Sequence, residues 1–231
     1  MQPQTISATK RRIGHQLLDF LSGLPRFATA PLYRHWHLRW GATDDEVQEA
    51  MPGDTIVSRA SLNATRAITI GAPPERVWPW IVQMGYRRAG FYTYDLVDNG
   101  GYPSAECVLP EYQHLAIGDW AFPMNGFFGV RLPVSETTAF KVVAFEVNRW
   151  LLWEKPGSTW AWVLKSLPGS RTRLLSRQRA HYPEPFTLLL MEFGDPPMMR
   201  RVLKGIKARA ERIDVAPVAV AANGTKKEVS G

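Results

Sequence analysis

The sequence predicts an α+β domain, in which consecutive antiparallel strands form a sheet and a long helix follows them. Six segments after Gly118 and Asp119 are short, rich in aromatic and branched residues, and separated by turns. An earlier strand is predicted at residues 66–70, and the last regular segment repeats its apolar residues at helical spacing. We therefore expect a curved antiparallel sheet of about seven strands wrapped around a long, kinked C-terminal helix.

The first predicted element is an amphipathic helix over residues 13–27. Its leucines recur at spacings of three and four, and Pro25 is expected to end it. Two interpretations stay open. The apolar stripe packs on the domain, or residues 10–27, with the basic cluster Lys10, Arg11 and Arg12, lie on a membrane surface.

Residues 1–40 are therefore assigned to an N-terminal amphipathic and basic extension, and residues 41–65 to a lead-in that wraps the domain. The lead-in is expected to hold one short helix near residues 43–50. The domain itself is predicted to span residues 66–213. An Ala, Val and Gly-rich end, residues 214–231, is predicted to be a disordered tail.

The regular part begins with alternation at residues 66–70 and stops at Gly71. Pro73 and Pro74 then suit the first turn of a helix, which is expected to bend at Pro79 and to end before Gly85. The remaining strands are predicted at residues 120–124, 128–132, 138–147, 150–154, 159–166 and 171–182. A tight hairpin is predicted between the last two strands, where proline, glycine and serine follow one another.

The last helix is expected to run from about Glu184 to Ile213, either kinked or in two pieces, because Gly194, Asp195 and two prolines interrupt it. Its second part carries an apolar stripe at helical spacing. The stripe consists of Met199, Val202, Leu203, Ile206, Ala210 and Ile213.

Composition and charge exclude several classes of function. The formal net charge of +7 divides into +5 for residues 1–40, −3 for residues 41–199 and +5 for residues 200–231. Because the body is mildly acidic, we expect no nucleic-acid partner. A single cysteine, Cys107, fits a cytoplasmic protein. Association of the N-terminal segment with a membrane surface is the alternative that stays open. No apolar stretch is long enough for a transmembrane span, and no secretory signal is expected.

The element order resembles the START-like helix-grip fold, also called the SRPBCC superfamily, which includes polyketide cyclases and lipid-transfer domains. The segment Ile68-Thr69-Ile70-Gly71-Ala72-Pro73-Pro74-Glu75-Arg76-Val77-Trp78 is similar to the entry of that fold. The stretches Trp40-Gly41-Ala42-Thr43, Gly90-Phe91-Tyr92-Thr93-Tyr94-Asp95 and Leu109-Pro110-Glu111-Tyr112-Gln113 resemble an uncharacterised bacterial branch. The resemblance implies binding of a hydrophobic small molecule, a lipid or a polyketide-like compound, in a cavity between sheet and helix. It also leaves open an enzyme of the cyclase, aromatase or dehydratase type.

Strand alternation supports such a cavity in outline. It sends aromatic and small polar residues of the last two strands inward and the arginines of the last strand outward. Together with an aromatic and acidic cluster at residues 92–99, these side chains are the candidates for ligand binding. They are Tyr92, Tyr94, Asp95, Asn99, Trp120, Trp160, Trp162, Gln178 and Tyr182. Packing of the tryptophans in the core is the competing interpretation.

Catalytic candidates are few. Asp95 would serve as a general base, with Tyr94 as the acid, if burial raised the pKa of its carboxyl group. The competing interpretation is that Asp95 caps a helix and the tyrosines pack. His35 and His37 alternate and lack further ligands nearby, so no metal site is expected. No phosphate loop or dinucleotide motif is present, and no cofactor is expected.

Overall fold

A computed structural model describes residues 3–123, 139–182 and 185–212. These residues form an α+β fold with a six-stranded, fully antiparallel sheet in the order β1-β6-β5-β4-β3-β2. The strands are β1 (Leu62–Ile70), β2 (Trp120–Pro123), β3 (Ala139–Glu146), β4 (Trp150–Lys155), β5 (Ser158–Leu167) and β6 (Arg171–Ala180). The strand predicted at residues 128–132 and the tail predicted at residues 214–231 lie outside the described residues. The predicted fold class is confirmed.

Six helices accompany the described part of the sheet. They are α1 (Pro3–Thr29), α2 (Arg34–Leu38), α3 (Asp44–Gln48), α4 (Pro74–Val82), α5 (Asp95–Asp98) and α6 (Pro185–Ala210). The short helix α3 lies where the lead-in was expected to hold one. It begins with a capping box, in which the Thr43 side chain and the Glu46 side chain each bind the other residue's backbone amide.

The prediction from Pro25 was wrong about the end of α1, and for the last helix the structure selects the single helix over two pieces. α1 continues through Pro25 to Thr29, and Pro25 is exposed, so water can solvate the carbonyl that its missing N–H leaves unbonded. α6 is a single helix that includes Pro196 and Pro197. Between these helices, the predicted hairpin joins β5 to β6, and Gly169 adopts the positive φ of 77° that the turn requires.

The inner face of the sheet packs against α4 and the second half of α6. Trp160, Trp162 and Leu164 of β5 are buried there, as strand alternation predicted. The predicted apolar stripe of α6 faces them from above and is buried from Met199 to Ala210. This aromatic core fixes the position of α6 across the sheet.

The outer face of the sheet is covered by the lead-in rather than by solvent. A second apolar cluster forms between them from Met51, Ala67, Leu152, Ala161 and Leu175. The arginines of β6 point to this face, as alternation predicted, but Arg177 is only 4% exposed. The sheet is therefore covered on both faces.

Among the described helices, none has the length and apolar character needed to cross a membrane.

Candidate ligand-binding site

Polar side chains gather on the inner face near the end of the sheet where β5 begins. Trp160 of β5 lies opposite Gln178 of β6. Ser158 of β5 lies opposite Lys155 of β4, the strand on the other side of β5. We call these four residues, together with Tyr182, which follows the end of β6, the polar end of the inner face. Away from this end the inner face is almost entirely apolar, so these side chains are the ones that could orient a ligand.

α6 is held over the inner face by a buried ion pair. The guanidinium of Arg66 on β1 donates to the carboxylate of Asp195 at 2.5 Å, and their side chains are 2% and 6% exposed. Arg66 also donates through Nε to the backbone carbonyl of His37, at 2.7 Å. Residues of α6 before Asp195 run back toward the end of β6, so the first half of α6 lies on the side of the polar end.

The polar end contains buried atoms that lack hydrogen-bond partners among the described residues. The indole N–H of Trp160 is satisfied, because it donates to Ser176 Oγ at 2.8 Å. In contrast, Gln178 Oε1 and Ser158 Oγ are buried and have no partner within the described chain. Away from the polar end, the indole nitrogens of Trp80 and Trp162 also lack a partner among the described residues, so the two oxygens are what distinguishes this end. Buried polar groups are paired in the great majority of cases, so these atoms mark a place where a partner is missing.

Burial shifts the pKa values of Lys155 and Tyr182, two groups of the polar end, in the directions that favour their neutral forms. Burial lowers the pKa of the Lys155 ammonium group, whose Nζ lies 5.0 Å from the centre of the Phe140 ring. Burial, and then the negative charge of Asp195, raise the pKa of the Tyr182 phenol to about 12. Tyr182 therefore stays a hydrogen-bond donor at neutral pH.

This arrangement can bind one polar group on an apolar molecule. Gln178 Oε1 can accept a hydrogen bond from a ligand, and the Tyr182 hydroxyl and the Lys155 ammonium can donate one. Ser158 Oγ can do either. The aromatic rings of Phe140 and Trp160 border the same area and supply apolar contact area.

Tyr92, in contrast, is placed as a structural residue between α4 and α6. Its hydroxyl donates to the Trp80 carbonyl at 2.9 Å and accepts from Gln83 Nε2 at 3.0 Å. The Arg209 guanidinium lies 4.5 Å from the ring centre. Burial raises the pKa of the Tyr92 phenol, so the hydroxyl stays protonated at neutral pH. Both hydrogen bonds of this hydroxyl are made within the protein.

Tyr94 and Asp95 lie at the start of α5, where Tyr94 faces α1. The Tyr94 ring contacts Phe20 and Phe27, and a Cβ on Gly23 would overlap its hydroxyl. The Asp95 carboxylate accepts from Ser104 Oγ at 2.6 Å and from Ser104 N at 3.1 Å. The structure thus separates both catalytic candidates from the polar end.

Two further candidates are also separate from the polar end. Asn99 Oδ1 accepts from the Arg87 amide at 2.8 Å, and Asn99 Nδ2 donates to the Tyr102 carbonyl at 2.7 Å, which closes a loop. Trp120 lies on the edge strand β2, is 37% exposed and is capped by Lys141, whose Nζ is 4.5 Å from its ring. Of the nine predicted ligand residues, the structure brings Trp160, Trp162 and Gln178 to one face, and Tyr182 follows the end of β6 within reach of the Asp195 charge.

Asp98, part of the same acidic cluster, has a buried carboxyl group at the end of α5. Neither of its oxygens has a hydrogen-bond partner among the described residues. Burial, and then repulsion from Asp95, raise the pKa of Asp98 well above that of an ordinary aspartate. The carboxyl group is therefore stable in its protonated form over a wider pH range than a surface aspartate.

Sequence reasoning missed Lys155, Ser158 and Arg66. Continuing the alternation of β4 past the inward residues Leu151 and Trp153 would have placed Lys155 inward. The same step along β5 from Trp160 would have found Ser158. For Arg66 no local signal exists, since its partner Asp195 is 129 residues away.

Two pockets that open to solvent lie beside α6, away from the polar end. One, of about 560 Å³, lies between the second half of α6 and β1 and is lined by Trp40, Ile68 and Lys207, among others. The other, of about 470 Å³, lies between α1, α2 and α6. In the described parts of the chain, no three histidine, cysteine or acidic side chains are grouped as a metal site would require.

Comparison with known proteins identifies similar structures only. No family model matches the sequence, and no curated protein matches it. A Polyketide_cyc-like protein from Corynebacterium glutamicum is 18% identical, with 70% of this chain and 92% of that chain covered and a TM-score of 0.33. CalC from Micromonospora echinospora, a self-sacrificing resistance protein, is 9% identical, with 64% and 93% covered and a TM-score of 0.37. A conserved protein of unknown function from Enterococcus faecalis is 16% identical, with 67% and 74% covered and a TM-score of 0.35.

These similarities leave the ligand and the activity of this chain open. The fold that the START-like resemblance implies is confirmed, because an antiparallel sheet has the C-terminal helix packed across it.

Proposed function

We propose that this chain binds a hydrophobic small molecule, of the lipid or polyketide-like class, between the polar end of the inner face and α6. The observation that carries the proposal is the pair of buried oxygens, Gln178 Oε1 and Ser158 Oγ, without partners among the described residues. A buried polar atom without a hydrogen bond costs about 1–3 kcal/mol. A ligand hydroxyl that donates to one of these oxygens would recover that cost on binding.

The neighbouring groups narrow the chemistry of the ligand. Aromatic rings supply most of the surface, so the ligand is apolar and flat or flexible enough to lie along them. Lys155 and Tyr182 add donors beside the two oxygens, which favours a ligand with a carbonyl or phenolic oxygen.

Two measurements test this proposal. Native mass spectrometry of the gently purified full chain should reveal a co-purifying apolar molecule. Thermal denaturation should then show greater stabilisation by 2-naphthol than by naphthalene, since the two differ only in one hydroxyl group. Equal stabilisation by both compounds would contradict the proposed polar contact.

Variants locate the binding site. The double substitution Gln178→Leu with Ser158→Ala should weaken 2-naphthol binding about tenfold, the equivalent of one lost hydrogen bond. Ser166→Ala is the matched control, because Ser166 lies on the same strand but is exposed. If control and double variant bind 2-naphthol alike, the ligand is not at the polar end.

The enzyme alternative, a polyketide cyclase, aromatase or dehydratase, would require Tyr94 and Asp95 to reach the ligand. The hydrogen bonds of Asp95 to Ser104 and the packing of Tyr94 against α1 favour carriage or sensing over catalysis by this pair. Asp95→Asn is expected to leave ligand affinity unchanged. Loss of turnover on a polyketide-like substrate, with affinity retained, would establish the enzyme instead.

We also assign the protein to the cytoplasm. The single thiol, Cys107, is exposed and has no second cysteine in the chain to pair with. A reducing compartment keeps such a thiol unmodified. Fractionation of cells followed by immunoblotting tests the assignment.

A further inference from the structure

The exposed apolar side chains of the described residues are concentrated near the N-terminus. Seven of the thirteen large ones lie between residues 17 and 36. We call these seven the N-terminal apolar face. They are Leu17 (45% exposed), Leu18 (66%), Leu21 (46%), Leu24 (42%), Leu32 (77%), Tyr33 (60%) and Trp36 (49%). Soluble monomers rarely expose a large contiguous apolar patch without a partner for it.

The hydrogen bonds, ion pair and ring contacts that join α1 to the rest of the described protein come from residues other than its leucines. α1 is attached through Gln16, which donates to the Gly101 carbonyl, and through Phe20, Gly23 and Phe27 around Tyr94. At roughly 100° per residue, these residues and Asp19, which pairs with Arg201 of α6, fall within an arc of about 100°. By the same geometry the four leucines occupy a separate arc of about 120°. The four leucines therefore lie beside the attachment surface rather than within it, and they stay 42–66% exposed.

A cationic pocket lies beside this face. The pocket of about 470 Å³ between α1, α2 and α6 shares Tyr33 and Trp36 with the N-terminal apolar face. Four cationic side chains line it against one carboxylate, Asp19. The four are Arg26, Arg200, Arg201 and Lys204.

Three of these cations differ in how far the protein neutralises them. Arg201 pairs with Asp19, at 2.9 Å. Arg200 lies between two indole rings, 5.4 Å and 5.2 Å from the ring centres of Trp36 and Trp40, which hold it in place without cancelling its charge. Lys204 is exposed and forms no ion pair among the described residues. The pocket therefore keeps a net positive charge next to an exposed apolar surface.

We propose that the N-terminal apolar face and the cationic pocket together dock the protein on an anionic phospholipid bilayer. The leucines of α1 enter the boundary between headgroups and acyl chains, and Arg26 and Lys204 meet lipid phosphates. Tyr33 and Trp36 lie between the two regions, where amphipathic rings favour the membrane interface.

Charge selects the bilayer over a second copy of the chain as the occupant. Residues 1–40 and residues 200–231 each carry a net charge of +5. Self-association through this face would bring like charges together, whereas the anionic surface of a bilayer attracts them, at about fivefold in affinity for each basic residue near it. The docking proposal stands independently of the proposed ligand site.

Vesicle co-sedimentation of the full chain tests the proposal. Wild-type protein should sediment with equimolar phosphatidylcholine and phosphatidylglycerol vesicles, and far less with phosphatidylcholine alone. Leu18→Asp with Leu21→Asp should lower binding about 100-fold, because two buried apolar side chains are replaced by charges. The matched control is Ile117→Asp with Val147→Asp, which changes the net charge equally at side chains 71% and 43% exposed outside this face.

A second pair of substitutions separates charge from apolar contact. Arg26→Gln with Lys204→Gln should lower binding to the mixed vesicles about 20-fold, and added salt should abolish the difference from wild type. Circular dichroism and the thermal midpoint confirm that every variant is folded. Equal vesicle binding by the leucine variant and its matched control would overturn the proposal. So would equal binding of wild-type protein to both kinds of vesicle. Dimerisation that Leu18→Asp with Leu21→Asp abolishes, without vesicle binding by wild type, would assign the face to a second copy.

Discussion

Arg177 and Gln178 are neighbours on β6 that point to opposite faces of the sheet. They are almost equally buried, at 4% and 7% exposed. Arg177 makes five hydrogen bonds, which use its Nε and both terminal nitrogens, to Thr65, Asp54 and three backbone carbonyls of the lead-in. Gln178 Oε1 has no partner among the described residues.

The difference between these two residues separates structure from function in the sheet. On the outer face, the lead-in supplies a partner for each N–H group of the Arg177 side chain, so the chain itself satisfies this buried cation. On the inner face, Gln178 and Ser158 remain incomplete beside a well-packed aromatic core. A site that binds a ligand must leave some of its polar groups for that ligand, and Gln178 Oε1 and Ser158 Oγ are two such groups on the inner face.

The largest expected effect is on the outer face. Arg177→Met should lower the free energy of unfolding by about 3 kcal/mol, because the Asp54 carboxylate and three carbonyls lose a buried cationic donor. Chemical denaturation measures the change. The matched control is Arg171→Met on the same strand, where the side chain is exposed and the expected loss is below about 0.5 kcal/mol. Similar losses for both variants would show that the lead-in is not held by Arg177.

Asp98 is another buried residue whose oxygens lack hydrogen-bond partners among the described residues. Its contribution to the free energy of unfolding depends on pH. Because the pKa of Asp98 is raised in the folded state, the native protein keeps a proton that the unfolded chain has lost above about pH 4. Stability from this group is therefore complete at low pH and falls as the pH rises, by up to about 1.4 kcal/mol per pH unit, until the folded pKa is passed.

Asp98→Asn is the variant that isolates this effect. Asparagine cannot ionise, so the variant should be more stable than wild type near neutral pH and should lose less stability between about pH 5 and pH 7. Urea unfolding of both proteins across that range measures the two slopes. Parallel slopes would mean that Asp98 does not titrate differently in the folded state.

The sequence predicted the sheet better than the ends of the helices. Alternation and turn residues depend on neighbours a few positions apart, which is why β4, β5 and the hairpin at Gly169 lie where they were expected. Pro25 misled the prediction because an exposed helix tolerates the lost hydrogen bond. Whether α6 is one helix or two could not be predicted from Pro196 and Pro197 alone, because its contacts, such as the Arg66–Asp195 pair, join residues far apart in the sequence.

The candidate site was predictable only in part, for a related reason. Strand alternation found Trp160 and Gln178, since their direction follows from the strand itself. The aromatic and acidic segment around Tyr94 and Asp95 offered the same residue types as a catalytic site. Its direction, however, is set by α1 and Ser104, and no local pattern indicates which way an irregular segment turns.

The smallest expected effect has the opposite sign from that of Arg177. Gln178→Leu should raise the free energy of unfolding of the ligand-free protein by about 1 kcal/mol, because it removes a buried oxygen that lacks a partner and keeps a similar side-chain volume. Chemical denaturation after removal of any co-purified ligand measures the change. Adjacent residues of nearly equal burial would then shift stability in opposite directions, as expected if the chain completes one face and a ligand completes the other. Destabilisation by Gln178→Leu comparable to that of Arg177→Met would mean that the Gln178 side chain already has its hydrogen bonds within the fold. The inner face would then offer a ligand no unpaired oxygen at this position.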